Sequence, residues 1–251
     1  MTSLLLGLVV LVAFVVESAA GFGGTVVSVS LGSQLMPVDD VLLRFLPANL
    51  VLSFVMVVRT WRLVDWRVLF QRVAPWMGLG MAGGAALARV ASPTVVKVVF
   101  AAFVLVLACV ELKKASRPAA QSDPIASLPR LVAATALVGA GVLHGMFACG
   151  GPLAVWVLGR DLPNKGPFRA TLSALWLGLN AILVGSYVFG GRLSAGSLRD
   201  AAALLVPLVL GLFVGERVHA SLSPARFRVA VFALLAVSSF VLLVRSLASY
   251  V

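Results

Sequence analysis

Charge is what this chain has least of. Only 12% of its 251 residues are charged, against about 25% in an ordinary soluble domain, and 61% are hydrophobic, against about 45–50%. No polar stretch is long enough to bury a core, which excludes a soluble domain. Acidic residues are the scarcer sign, with Asp+Glu at 9 and Lys+Arg at 20. The resulting +11 could serve nucleic acid, but basic residues also crowd the cytoplasmic loops of membrane proteins. That second account is the stronger, and no nucleic-acid partner is expected. The two cysteines, Cys109 and Cys149, both lie in apolar sequence without paired spacing. They imply neither a disulfide framework nor a metal site. No G-x-S-x-G nucleophile motif occurs and His144 has no evident serine partner, so an intramembrane enzyme is the weaker reading. No cofactor is expected.

What the chain has is long apolar runs, at about 4–20, 24–36, 41–59, 73–90, 94–112, 130–148, 152–159, 168–189, 199–216 and 225–248. Most approach the 17–25 residues that a helix needs to cross a hydrocarbon core. The expected fold class is an all-α polytopic membrane protein. The first run, Leu4–Val16, follows the neutral Met1-Thr2-Ser3 and lacks the basic region of a signal peptide, so it is read as part of the mature fold. Pro75 and Pro129 mark helix openings. Ser92-Pro93 and Ser223-Pro224 read as an N-cap followed by proline at the first helical position. Pro47 and Pro207 are expected to kink their helices.

A motif recurs in these runs. Sliding the chain by 127 residues lays Glu17 on His144 and Gly23-Gly24 on Gly150-Gly151. Further along, a shift of 131 lays Asn49 on Asn180, Ser92-Pro93 on Ser223-Pro224, and Gly80…Gly84 on Gly211…Gly215. The glycine pairs read as close helix packing. The expected organisation is a first repeat over 1–112, a linker over 113–129 and a second repeat over 130–251. Each repeat is a broken-helix hairpin plus three transmembrane helices.

Charge sets the orientation. If 4–20 and 24–36 enter and leave on one side, the basic clusters 59–72, 113–130, 160–169 and 217–228 all fall on one face. The other face keeps Arg44, Arg89, Lys97, Arg192, Arg199 and Arg245. A single crossing at each motif removes that bias. The positive-inside rule therefore favours hairpins, a cytoplasmic linker, external termini and repeats inverted relative to each other.

Backbone in hydrocarbon must be hydrogen-bonded internally, so breaks at these glycines predict a cavity enclosed by protein. A short helix begins after each break, near Thr25 and Pro152, and its free amides and positive dipole end form a site for an anion. The candidate substrate-binding residues are Gly23, Gly24, Thr25, Gly150, Gly151, Pro152, Asn49 and Asn180. The two asparagines serve either ligand oxygens or inter-helix hydrogen bonds. Side chains at Gly24 or Gly151 are expected to strain the backbone and fill the ligand's space. Glu17 and His144 are the proton-coupling candidates, since ionisable groups within membrane segments are functional by default. The alternatives are an ion pair of Glu17 with Arg44 and a neutral His144 donating to a carbonyl. The implied partners are a small anion and the lipid bilayer, and a homo-oligomer is left open.

The two glycine clusters, Gly21-Phe22-Gly23-Gly24 and Gly150-Gly151-Pro152, and the segment Asn164-Lys165-Gly166-Pro167-Phe168-Arg169-Ala170-Thr171 resemble the TauE/SafE sulfite exporter family, also called TSUP. The resemblance spans nearly the whole chain. It departs from the family's usual longer glycine run and from its A-T-S-type segment, where this chain has Arg44…Pro47-Ala48-Asn49. It implies a secondary transporter of sulfite, sulfoacetate or another sulfonate, mostly exporting, in a bacterial inner membrane. A passive anion channel is the alternative from another class.

Overall fold

The computed structural model describes residues 2–115, 128–221 and 224–248, and every regular element among them is a helix. In order these are α1 (Thr2–Ala20), α2 (Gly24–Gly32), α3 (Val38–Thr60), α4 (Trp66–Val68), α5 (Ala74–Val90), α6 (Pro93–Ala115), α7 (Arg130–Phe147), α8 (Gly151–Asp161), α9 (Lys165–Phe189), α10 (Ala195–Ala203), α11 (Leu205–Ser221) and α12 (Pro224–Ala248). Six spans among the described residues are long and apolar enough to cross a membrane, and Leu4–Ala19 within α1 is a shorter apolar helix. The chain is a multi-pass membrane protein. Most of the linker, residues 116–127, lies outside the described residues, as does Ser223 of the second Ser-Pro pair.

Local chemistry accounts for most helix ends. Ser92 caps α6, accepting from the Val95 N–H at 3.3 Å. Pro129 sits at the N-cap of α7. Pro75 sits at the opening of α5, which follows directly on α4 and a π turn, Leu69–Val73. Such a turn accommodates a helix in which proline removes one donor. Pro207 lies in the first turn of α11, after a break at Leu204, where its missing N–H costs nothing. Only Pro47 falls inside a long helix, α3.

The packing is reciprocal between the halves. α1 lies along α11 and α7 lies along α5, while α3 pairs with α9 and α6 with α12. Glycines let the first two pairs approach closely. A Cβ on Gly80 or Gly84 would run into the Val138 or Val142 carbonyl of α7, and one on Gly141 or Gly145 into the Met77 or Met81 carbonyl of α5. On the opposite pair, Gly211 abuts Phe14 and Gly215 abuts Ser18. With lipid as apolar as the core, such backbone approach and its dispersion contacts hold helices together.

Polar contacts gather at two ends of the bundle. At one end Arg59 pairs with Glu216 at 3.2 Å, Arg72 with Asp161 at 2.6 Å, and the Asp65 N–H donates to Thr171 at 2.9 Å. At the other, Arg44 pairs with Asp200 at 2.9 Å, Arg192 with Asp39 at 3.2 Å, and Arg245 donates to Gln34 at 3.3 Å. Among the described residues, the pairs of Arg59 and Arg72 are thus separate from those of Arg44, Arg192 and Arg245. Half-exposed pairs of this kind contribute about 0–1 kcal/mol each, so they mark the ends more than they stabilise them.

Gly84→Val and Gly145→Val should each destabilise the fold by about 1–3 kcal/mol, because a side chain there must push two helix backbones apart. Gly83→Ala, which meets nothing within 4 Å, should be neutral. Thermal unfolding in detergent, followed by tryptophan fluorescence, reads the difference. Equal melting temperatures for all three would contradict the packing account.

Candidate functional site

The two breaks close their preceding helices in the same way. The Gly21 N–H donates to the Glu17 carbonyl at 2.7 Å, and the Ala148 N–H to the His144 carbonyl, also at 2.7 Å. Both residues that turn the chain are left-handed, Gly21 with φ +81° and Ala148 with φ +53°. Gly23 is left-handed as well, at φ +97°, but its partner Gly150 has φ −70°. After each turn the chain folds back. Gly24 comes against Ala13 and Glu17 of α1, and Gly150 against Ala140 and His144 of α7. These are hairpins rather than kinked continuous helices.

α2 begins at Gly24 and α8 at Gly151, as the sequence leads one to expect, and neither has a side-chain cap. The first backbone bonds back to the caps come from Val27 and Ala154. Amides before them are orphan donors at the positive ends of their helices.

These ends border a small, partly open cavity. Of the residues singled out from sequence, Glu17, Gly23, Thr25, Asn49, His144, Gly151 and Asn180 line it. Gly24, Gly150 and Pro152 do not. Gly24 is packed on Glu17, Gly150 is wedged between Ala140, His144 and Met77, and Pro152 starts α8. The expected strain at Gly24 and Gly151 is also corrected, since the left-handed positions are Gly21, Gly23, Ala148 and Gly191.

Phe22, Val26, Ala148, Cys149 and Trp176 complete the lining. Three of them lie inside the repeated motif itself, masked by the glycines. Trp176 is one helical turn before Asn180 on α9, and that i, i+4 spacing was the available signal. Its indole Nε1 donates to the Gly21 carbonyl at 3.2 Å, and its ring stacks on His144 with centroids 5.7 Å apart. The Cys149 thiol donates to the Phe147 carbonyl at 3.0 Å.

The polar groups form two like pairs. Asn49 lies beside Glu17, and Asn180 beside His144. Glu17 is 8% exposed and the other three 1% each. Glu17 Oε2, Asn49 Oδ1, Asn180 Oδ1 and both His144 ring nitrogens nonetheless lack a hydrogen-bond partner of good geometry. Asn180 is thus near His144 without a well-formed bond to it. Arg44 is engaged with Asp200 at the bundle end, which removes the ion pair with Glu17, and no carbonyl receives a His144 proton. An unpaired buried polar group costs about 1–3 kcal/mol, and five such atoms border this one cavity.

Gly24 and Gly151 should behave differently on substitution. A Cβ at Gly24 would collide with the Glu17 side chain, whereas at Gly151 it would meet Phe22 at 3.7 Å and Trp176 at 3.9 Å, ordinary contacts. Gly151→Val should therefore fold and fill the cavity, losing anion binding, while Gly24→Val should fail to fold. Melting curves with and without added sulfite check both. A folded Gly151→Val still stabilised by sulfite would exclude this cavity as the site.

Residues 6–242 match the family model described as sulfite exporter TauE/SafE. No curated protein and no solved structure matches the chain.

Proposed function

Because the chain belongs to the sulfite exporter TauE/SafE family, whose members are membrane transporters and not enzymes, we propose that it exports a small organosulfur anion across a bacterial inner membrane. Sulfite, sulfoacetate or a related sulfonate is the substrate class. The observation that carries the reading is the cavity. Two helix N-termini border it, and Glu17, Asn49, His144 and Asn180 line it with atoms that lack a well-formed hydrogen bond. Helix dipoles and free amides favour an oxyanion there, and the small volume favours a compact one.

In this reading residues 1–112 and 130–251 are inverted repeats joined by a cytoplasmic linker, and they rock about the cavity to give alternating access. The reciprocal packing of α1 on α11 and α7 on α5 supports that arrangement. So does the sorting of polar contacts to two ends, which places Arg59, Arg72 and Asp161 together on the basic side. Cysteine labelling from the periplasmic side should miss positions 62–67 and 113–129. Labelling of Arg117→Cys from outside would reverse the orientation.

Glu17 supplies the coupling. A charged carboxylate beside the site repels the anion, whereas the protonated form can donate a hydrogen bond to it. Proton uptake and anion binding then favour each other, as a proton-coupled carrier requires. Wild-type affinity for sulfite should weaken as pH rises across about 5.5 to 8.5, a range that also spans histidine titration. Glu17→Gln, which mimics the protonated form, should flatten part of that slope. Thermal-shift titrations with sulfite, sulfoacetate, taurine and a carboxylate measure both affinity and selectivity. Identical pH profiles in the two proteins would remove Glu17 from the mechanism, and stabilisation by none of the sulfur anions would overturn the carrier reading.

A further inference from the structure

We infer that Arg169 is an outer anion station, through which the substrate passes between the basic end of the bundle and the central cavity; this rests on the carrier reading above. Arg169, Ser173, Trp176 and Asn180 fall at i, i+4, i+7 and i+11 along α9, one face of the helix. The last two line the cavity, and Arg169 lies toward the helix's basic end. Ser173, between them on that face, is buried and its hydroxyl donates to the Arg169 backbone carbonyl at 3.0 Å.

The aliphatic stem of Arg169 packs against the first break. A Cβ on Gly21 would come within 3.2 Å of the Arg169 Cγ, and the carbonyl of that same Gly21 holds Trp176. Arg169 Nε is buried without a hydrogen-bond partner, and Nη2 reaches only the Met56 sulfur at 3.9 Å. No carboxylate among the described residues forms an ion pair with it. Glu216, the carboxylate that acts on it through space, is paired with Arg59. Asp161 is paired with Arg72, and the Asp65 carboxylate caps Val68. An uncancelled arginine within a membrane segment is costly and calls for a function. Its planar fork suits the oxygens of sulfite or a sulfonate better than a point charge does. An anion at Arg169 lies along the α9 face that leads to Trp176 and Asn180 at the cavity.

The test is the KM for radiolabelled sulfite entering from the basic face, in proteoliposomes of known orientation, with melting temperatures for each variant. Arg169→Gln should raise KM about tenfold or more, the loss expected for a charged hydrogen bond. Its maximal rate, and the equilibrium affinity of the cavity read by tryptophan fluorescence, should stay within about twofold, a change too small to signal a lost hydrogen bond. Arg169→Lys, which keeps charge and loses the fork, should be intermediate. Arg160→Gln, at an exposed arginine stacked on Trp156, should match wild type. A wild-type KM in Arg169→Gln would overturn the inference, as would equal impairment of both Arg169 variants with equally lowered melting temperatures. Where Arg169→Gln does not fold, Arg169→Lys decides, and a wild-type KM there is fatal to the idea. Absence of sulfite binding in wild type would overturn the carrier reading itself, a result distinct from any of these.

Discussion

A peptide group in hydrocarbon has no water to bond to, and the rest of this structure follows from that. Two helices, α1 and α7, end at glycine-rich breaks where the chain turns back. Their last carbonyls and the first amides of α2 and α8 must be covered by protein or must line a polar space. Here both happen. Trp176 takes the Gly21 carbonyl, while amides of α2 and α8 border the cavity. The enclosure requires helices on every side, so α3 and α9 close across the breaks, and α11 and α5 close behind α1 and α7.

Close packing behind the hairpins is what keeps them in place. α5 and α7 meet backbone to backbone at Gly80, Gly84, Gly141 and Gly145, and α1 and α11 meet at Gly211 and Gly215. Each hairpin is thus anchored on a helix of the other half. The ion pairs at the two ends are weaker and partly exposed.

The cavity's two sides are alike in position and unlike in chemistry. Glu17 with Asn49 and His144 with Asn180 occupy matching places, yet one is an acid and the other a base. α2 brings Thr25 to its side, whereas α8 runs apolar from Leu153 to Leu158. Arg169 adds a cation near one break, and Arg44 is neutralised by Asp200 at the far end.

The sequence by itself determined the membrane class, the two breaks and most helix positions within a few residues, though the run at 199–216 is split into α10 and α11. Each rests on a local or compositional signal: run length, glycine, repetition. Only the tertiary structure decided which face of each segment turns inward. It put Gly151 on the cavity and Gly24 and Gly150 against helix backbones, gave Arg44 to Asp200, left Arg169 unpaired, and brought Cys149 and Trp176 to the site. The π turn before Pro75 was equally hidden. The reason is physical. In a soluble helix the polar face shows which side meets water, but here lipid and protein interior are equally apolar, so neither side of a run such as α1 or α6 is marked.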